Sequence, residues 1–221
     1  MKKIILALFG FFWMSTSVFA IDRYRMETTV GGQFANDWFM SFQERVEFRQ
    51  SDGTDGLGYH HSDVGVGYNF HPKSIFDGFK VGLNYRHIYE YNNTDWAVEY
   101  RPYAWFEPSW DMPLDLVFSV KNELEFRDGE TEETWRYRIR PKVQHTPTGL
   151  YVSSKLSHNL NSTNAAKSGE LDSNDFEAGI ERDVINNFSG KAFYRYQHTY
   201  TQAAGWEPGY DMIGVGVQYT W

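Results

Sequence analysis

Cysteine is absent from the 221-residue sequence, and no stretch beyond residue 20 is apolar enough to cross a membrane as a helix. These absences exclude a disulfide-stabilised secreted scaffold and a helical membrane protein. Lys/Arg-rich runs are also missing, and Asp and Glu outnumber Lys and Arg by 29 to 21. Nucleic-acid phosphates need a basic surface, so the sequence predicts no nucleic-acid partner.

The N-terminus has the three-part layout of a secretory signal. Two lysines follow Met1, residues 4–13 are almost wholly apolar, and small residues lead up to Ala20. The apolar run is about ten residues long, whereas a membrane-spanning helix needs roughly 20, so a retained anchor is the weaker alternative. We therefore predict a signal peptide over 1–20, cleaved after Ala20, and a single exported domain over 21–221.

Aromatic residues make up 18% of the chain, although its mean hydropathy is only −0.57. A membrane β-barrel has this composition, because its outer face is apolar with aromatic belts and its inner face and loops are polar. The chain also alternates over long segments: Phe79, Val81 and Leu83 begin one apolar face that continues to Tyr91. The pattern predicts an all-β, antiparallel transmembrane barrel in the outer membrane of a Gram-negative bacterium, with outer-membrane lipid as a partner.

Alternation and turn residues place eleven candidate strands. They cover 22–34, 38–50, 57–70, 78–91, 96–107, 113–127, 133–145, 149–160, 173–184, 190–201 and 210–221. Because bacterial single-chain barrels have an even number of strands, we expect twelve, with ten as the alternative. The missing strand is expected near Ile21, which would put both termini, including the N-terminus, on the periplasmic side. The acidic connections 51–56, 128–133 and 161–173 are expected to face outside.

A soluble sandwich or lipocalin-like barrel also alternates, so the positions of the aromatic rings are needed to distinguish the two classes. Rings near strand ends fit the interface belts of a membrane barrel. These rings are Trp38, Phe39, Trp96, Trp105, Phe106, Trp110, Trp135 and Trp206. The last strand ends at Trp221, which resembles the terminal aromatic signal for the barrel-assembly machinery. We expect a monomer that uses this signal.

Cationic residues are concentrated on the predicted inner face. Arg136, Arg138, Arg140 and Lys142 alternate along one strand, and the other candidate pore-lining residues are Arg45, Arg49, Arg86, Arg101, Arg127 and Arg195. One interpretation is a track for small anionic solutes in a barrel roughly 20–24 Å across. The alternative is internal neutralisation by acids of the same face, which would leave a closed barrel with a structural or envelope role. Those acids are Glu47, Glu90, Glu99, Glu123, Glu125, Glu177 and Glu181.

Three segments resemble the oligogalacturonate-specific monomeric porins of the outer membrane. They are Ile21-Asp22-Arg23-Tyr24-Arg25, Glu99-Tyr100-Arg101-Pro102-Tyr103 and the closing residues 215–221. This resemblance implies a twelve-stranded monomer that conducts acidic oligosaccharides between basic tracks, with Arg101, Arg136, Arg138 and Arg140 as candidate track residues. The family's separate short first strand is not evident here.

A second resemblance is to an uncharacterised, DUF2490-like family of proteobacterial outer-membrane barrels. Glu123-Leu124-Glu125-Phe126-Arg127 and Trp135-Arg136-Tyr137-Arg138 carry it. This family has no settled activity, so the resemblance implies a fold and a location but no substrate.

Catalysis is the least favoured function. His60 and His61 lie near Asp63, and His158 follows Ser157, but neighbours in a strand point to opposite faces. The sequence contains no Gly-x-Ser-x-Gly, His-Glu-x-x-His or phosphate-loop motif. We expect no enzymatic activity, no catalytic residue, no metal and no cofactor. A hydrolase at the barrel rim that uses His61 or His158 is the alternative.

Overall fold

A computed structural model describes residues 21–50, 56–72, 75–91, 95–129, 133–163, 169–201 and 203–221. The predicted signal peptide over 1–20 lies outside the described residues, as do 51–55, 130–132 and 164–168 in the acidic connections. The described residues form one closed barrel of eleven strands. The strands are β1 Arg23–Ala35, β2 Trp38–Arg49, β3 Gly56–Phe70, β4 Gly78–Tyr91, β5 Trp96–Met112, β6 Leu116–Gly129, β7 Glu133–His145, β8 Leu150–Ser162, β9 Leu171–Ile185, β10 Phe188–Thr201 and β11 Gly205–Thr220.

The prediction of twelve strands, or ten, is wrong for the described chain. The segment expected to hide an extra strand is one continuous strand, β1, which pairs along its whole length with β2. All sequential neighbours are antiparallel, so an odd count forces the closing pair to be parallel. The parallel β1–β11 pair runs in register from Arg23↔Met212 to Gly31↔Thr220. Consequently Arg23 and Thr220 lie at opposite ends of the barrel.

The two ends of the barrel differ in their connections. At the turn end, residues 36–37 and 186–187 make two-residue turns. Asn36 and Asn186 have φ of 45° and 34° there, the left-handed conformation that asparagine tolerates and tight hairpins require. At the opposite end, called the loop end below, β2, β4, β6, β8 and β10 end and β3, β5, β7, β9 and β11 begin.

The barrel wall has an apolar outer face and a polar inner face. Large apolar side chains along the outer wall are strongly exposed, for example Leu83 at 63%, Val64 at 54% and Met26 at 55%. The inner face contains most of the buried residues, and many of them are charged, including Glu125 at 0% and Arg138 at 5% exposure. No helix among the described residues has the length and hydropathy needed to cross a membrane.

Glycines leave room for aromatic rings in the interior near the turn end. A Cβ on Gly214 would lie 2.1 Å from the Phe193 ring, and one on Gly82 would lie 2.6 Å from the Trp105 ring. Trp105 also packs against Phe39, with ring centroids 6.1 Å apart. The assignment of Phe39 and Trp105 to an interface belt is therefore wrong, because both alternate with the exposed outer-wall residues and point inward.

Candidate functional site

The structure places all ten predicted pore-lining cations on the inner face. All except Arg140 have a carboxylate oxygen within ion-pair distance among the described residues. These nine are Arg45, Arg49, Arg86, Arg101, Arg127, Arg136, Arg138, Lys142 and Arg195. Whether any of them binds a solute stays a prediction.

Glu125 on β6 is one centre of this network. It lies opposite Arg136 on β7, whose Nη2 donates to Glu125 Oε1 at 2.7 Å, and it also accepts from Arg138. Its second oxygen is 3.6 Å from Arg86 Nη1 on β4. Three guanidinium groups thus surround a carboxylate that is 0% exposed. The acids that neutralise the cationic ladder of β7 therefore come from the adjacent β6 and from β9, where Asp172 contacts Arg136 and Glu181 contacts Lys142.

Asp63 on β3 is a second centre. Arg86 Nε donates to Asp63 Oδ2 at 2.9 Å, and the Tyr103 hydroxyl donates to the same oxygen at 2.7 Å from β5. Asn84 donates to the other oxygen at 2.6 Å. Since Tyr103 reaches across an intervening strand, this contact joins β3, β4 and β5 through the interior.

A third group lies on β8 to β10. Arg195 donates to Glu177 and lies 3.8 Å from Asp175, which Lys155 contacts at 2.5 Å. Lys191 Nζ is 3.0 Å from Glu177. Each acid in this group therefore meets two cations, as Glu125 meets three. Buried ions in such an arrangement are compensated by several partners, which offsets the cost of removing them from water.

These groups belong to a layer of buried side chains in the interior. Every strand contributes at least one inner-face side chain that is no more than 8% exposed. One such residue from each strand is Arg25, Glu47, His61, Ile88, Arg101, Glu125, Arg138, Ser157, Asp175, Arg195 and Met212. Most of these side chains are polar or charged, so the barrel has a polar core. We call the paired charges of the inner face the interior network.

Toward the turn end the cations lie over aromatic rings. Lys121 Nζ is 4.6 Å from the Trp105 ring centroid, and Lys142 Nζ is 4.6 Å from that of Tyr151. Arg140, across from Lys121 in the β6–β7 register, has no carboxylate within 4.0 Å among the described residues. Lys121 itself pairs with Glu123 at 2.9 Å, so Arg140 is the cation of this level without such a partner among the described residues.

A polar cluster also lies on the outer wall. Glu44 on β2 is opposite Ser62 on β3, which is in turn opposite His87 on β4. Ser62 Oγ donates to Glu44 Oε1 at 2.7 Å, and His60 Nε2 lies 2.7 Å from Glu44 Oε2. The side chains of His60 and Glu44 are 33% and 36% exposed. We call Glu44, His60, Ser62 and His87 the outer-wall cluster.

Aromatic rings surround this cluster. His87 stacks on Tyr100 with centroids 4.9 Å apart at 11°, and it contacts Tyr89 at 4.5 Å. The His60 ring also stacks with the Tyr89 ring, and their centroids are 6.1 Å apart. His87 Nε2 is buried and has no hydrogen-bond partner among the described residues.

The sequence comparisons identify the family. A family model described as "Protein of unknown function (DUF2490)" matches residues 23–207. The chain belongs to the DUF2490 family. This confirms the second resemblance noted in the sequence, whereas nothing in the comparisons supports the resemblance to the oligogalacturonate porins. No curated protein and no solved structure matches the chain.

The other candidate histidines of this DUF2490 barrel have structural contacts. His61 is 0% exposed in the interior, with Nδ1 2.9 Å from the Tyr59 hydroxyl. Ser157 is buried inside, while His158 points outward and contacts the Gly169 carbonyl at 3.2 Å, so the two do not meet. The described part of the chain contains no group of three His, Asp or Glu side chains arranged to hold a metal ion.

Sequence reasoning missed the outer-wall cluster of the DUF2490 barrel. The signal was the spacing of His60 and Ser62, two residues apart and therefore on the same face of a strand, together with Glu44 on an apolar face of the preceding strand. The register that places Glu44 beside Ser62 depends on pairing and cannot be read from either strand alone.

Proposed function

We propose that this DUF2490 protein is a monomeric outer-membrane barrel with a closed interior, serving as a scaffold whose functional groups lie on its outer wall and loops. The observation that carries the proposal is the layer of buried inner-face side chains, most of them polar and many of them ion-paired, to which all eleven strands contribute. A diffusion pore needs a continuous water-filled path, and a layer of buried side chains from every strand favours a closed interior instead.

The membrane location is supported by the inverted polarity of the wall. A soluble barrel buries its apolar residues inside, but here Leu83, Val64 and Phe42 are 63%, 54% and 46% exposed on the outer wall. A continuous apolar surface of this kind favours contact with lipid over contact with water. Outer-wall rings concentrate at both ends, such as Trp38 and Tyr68 at the turn end and Tyr91 and Trp96 at the loop end. Two such belts fit the two membrane interfaces.

The C-terminal residue supports assembly as an outer-membrane barrel. Trp221 N donates to the Gly31 carbonyl at 3.2 Å, and its ring lies where a Cβ on Gly32 would be 2.8 Å away. The last residue is thus part of the closing β1–β11 seam. We propose that Trp221 is recognised by the barrel-assembly machinery before this seam forms.

Permeation by small anionic solutes, such as acidic oligosaccharides, is the second candidate. The observation that favours it is Arg140, a cation without a carboxylate within 4.0 Å among the described residues, directly across from Lys121. A cation of this kind, facing the interior, would attract anions. This candidate requires the interior network to open.

Cell fractionation and vesicle swelling test the proposal. The full chain should be recovered with the outer membrane after expression in a Gram-negative host. After reconstitution into phosphatidylethanolamine and phosphatidylglycerol vesicles, swelling in galacturonate or digalacturonate should equal that of protein-free vesicles. Recovery as a soluble periplasmic protein would contradict the membrane location. Swelling in the acidic sugars, but not in neutral sugars of the same size, would establish the second candidate instead.

A further inference from the structure

The outer-wall cluster has no evident structural requirement. Its neighbours on the same face are apolar and exposed, as Phe42 and Val64 are at 46% and 54%. A charged side chain on a lipid-facing wall costs free energy that is largest at the bilayer midplane and falls to about 0–1 kcal/mol near an interface. Three neighbouring strands nevertheless place Glu44, Ser62 and His87 in one row. An intramembrane ionisable group of this kind is a functional candidate.

The residue types are those of nucleophilic acyl transfer. Serine becomes a nucleophile when an imidazole accepts its proton, and a carboxylate orients that imidazole and stabilises its cation. Here the carboxylate of Glu44 contacts both His60 Nε2 and Ser62 Oγ at 2.7 Å. The serine and the imidazole therefore share one carboxylate, and they lie two residues apart on the same face of β3.

His87 supplies a further polar group beside the serine. It faces Ser62 directly across the β3–β4 pair, and its Nε2 has no partner among the described residues. Because this nitrogen is buried, a bound ester does not reach it, and His87 is a polar neighbour of the serine on the wall. Tyr89 and Tyr100 hold the two histidines by stacking.

We propose that Glu44, His60 and Ser62 form a hydrolase site on the outer wall that cleaves acyl esters of membrane lipids. The inference rests on the proposed membrane location, because lipid is the molecule that contacts this wall. It departs from the expectation that the protein is not an enzyme. The side chains of His60 and Glu44 are about one-third exposed, so both are accessible from the lipid side without any opening of the interior.

The reaction has two steps. Ser62 Oγ attacks the ester carbonyl carbon while His60 takes the hydroxyl proton. The carbon–oxygen bond to the lipid alcohol then breaks, His60 returns the proton to the departing oxygen, and the acyl group remains on Ser62. In the second step a water molecule, deprotonated by His60, attacks the carbonyl carbon of the acyl-serine. The bond from this carbon to Ser62 Oγ breaks, and His60 returns the proton to Oγ. The products are a free fatty acid, a lipid alcohol and the regenerated serine.

The chain offers matched controls on the same face of the barrel. Ser154 on β8 is an outer-wall serine whose hydroxyl contacts Asn174 at 3.0 Å, without a histidine or an acid beside it. His198 on β10 is an outer-wall histidine packed against Tyr196 at 4.5 Å. Ser154→Ala and His198→Phe therefore repeat the chemical changes of Ser62→Ala and His60→Phe away from the cluster.

The first experiment measures fatty-acid release by mass spectrometry. The full-length barrel is reconstituted into vesicles of phosphatidylethanolamine and phosphatidylglycerol, with and without added lipopolysaccharide. We expect release from at least one composition, a fall to the protein-free rate in Ser62→Ala, and a loss of about a hundredfold or more in His60→Phe. Ser154→Ala and His198→Phe should retain the wild-type rate.

The role of Glu44 is to position His60, so it needs a readout that a purely structural role would not change. Glu44→Gln should lower release about tenfold or more, and Glu44→Asp should recover part of it, because only the aspartate restores a carboxylate. Equal loss in both variants, with the barrel folded, would contradict this role.

A second experiment tests the site independently of the membrane proposal. In detergent, a lipophilic fluorophosphonate should label Ser62 and leave Ser154 unlabelled, as read by peptide mass spectrometry, and His60→Phe should abolish the labelling. Absence of labelling, or release from neither vesicle composition by a correctly inserted barrel, overturns the inference and leaves the closed-barrel proposal intact. Labelling in detergent by a chain that does not insert into vesicles would overturn only the membrane proposal.

Discussion

The interior network and the outer-wall cluster lie on opposite sides of the same wall. Their carboxylates differ in exposure and in the partners that they contact. Glu125 inside is 0% exposed and is surrounded by Arg86, Arg136 and Arg138. Among the described residues, Glu44 outside has only a hydroxyl and an imidazole as partners, and its side chain is 36% exposed. The interior charges therefore compensate one another, whereas we expect the barrel to fold without the outer cluster.

The largest expected effect is the removal of a central interior carboxylate. Glu125→Ala leaves three buried guanidinium groups without their shared partner, so it should lower the free energy of unfolding by about 3–5 kcal/mol. Glu90→Ala is the control. The Glu90 side chain is 45% exposed and pairs with Arg49 alone among the described residues, at 2.5 Å. This variant should therefore lower the free energy of unfolding by only about 0–1 kcal/mol. Urea titration of the reconstituted barrel measures both, and equal losses would contradict the central role of Glu125.

The next effect tests which side of the wall meets lipid. Leu83→Arg places a cation near the middle of β4 on the outer wall, where lipid contact predicts a loss of about 2–4 kcal/mol. Leu114→Arg in the turn after β5 is the control, since Leu114 is 73% exposed at the barrel end and should cost about 0–1 kcal/mol. If both variants unfold at the same urea concentration as the wild type, the outer wall does not face lipid.

A smaller effect tests the aromatic packing inside the turn-end half. A Cβ at position 214 would lie 2.1 Å from the Phe193 ring, so Gly214→Ala should destabilise the barrel by about 1–3 kcal/mol. In the double variant with Phe193→Ala, the cost of the added methyl group should largely disappear. An additive double variant in the same urea titration would show that the ring does not occupy this space.

The smallest effect is expected at the outer-wall cluster. Glu44→Gln and Ser62→Ala should each change the free energy of unfolding by less than about 1 kcal/mol, because the partners remain accessible at the wall surface. A loss as large as that of Glu125→Ala would make the outer cluster a structural element and remove the contrast with the interior.

Much of the fold follows from the sequence because alternation reports which residues share a face. Nine of the eleven predicted segments agree with the strands to within three residues, whereas β5 continues to Met112 and β11 begins at Gly205, each five residues beyond the predicted bound. The inner-face position of Arg136, Arg138 and Arg140 is as expected. The even strand number came from a rule about related barrels, and the parallel β1–β11 seam is the exception that the rule does not anticipate.

The ion pairs of the interior and the contacts of the outer-wall cluster could not be predicted from alternation, because both depend on the register between strands. Glu125 neutralises Arg136 and Arg138 only when β6 and β7 pair so that Glu125 faces Arg136. Similarly, Glu44 meets Ser62 only through the β2–β3 register. A shift by one residue would move either side chain to the other face of the wall.

Single-channel recording in a planar bilayer tests the closed interior most directly. Insertion is first verified by resistance of the reconstituted barrel to protease, so that a silent membrane is known to contain protein. A closed interior predicts no steady conductance from the wild-type chain at any moderate voltage. A stable, anion-selective conductance would contradict it, because ions would then pass through the layer formed by Glu125, Arg138, Asp175 and Arg195.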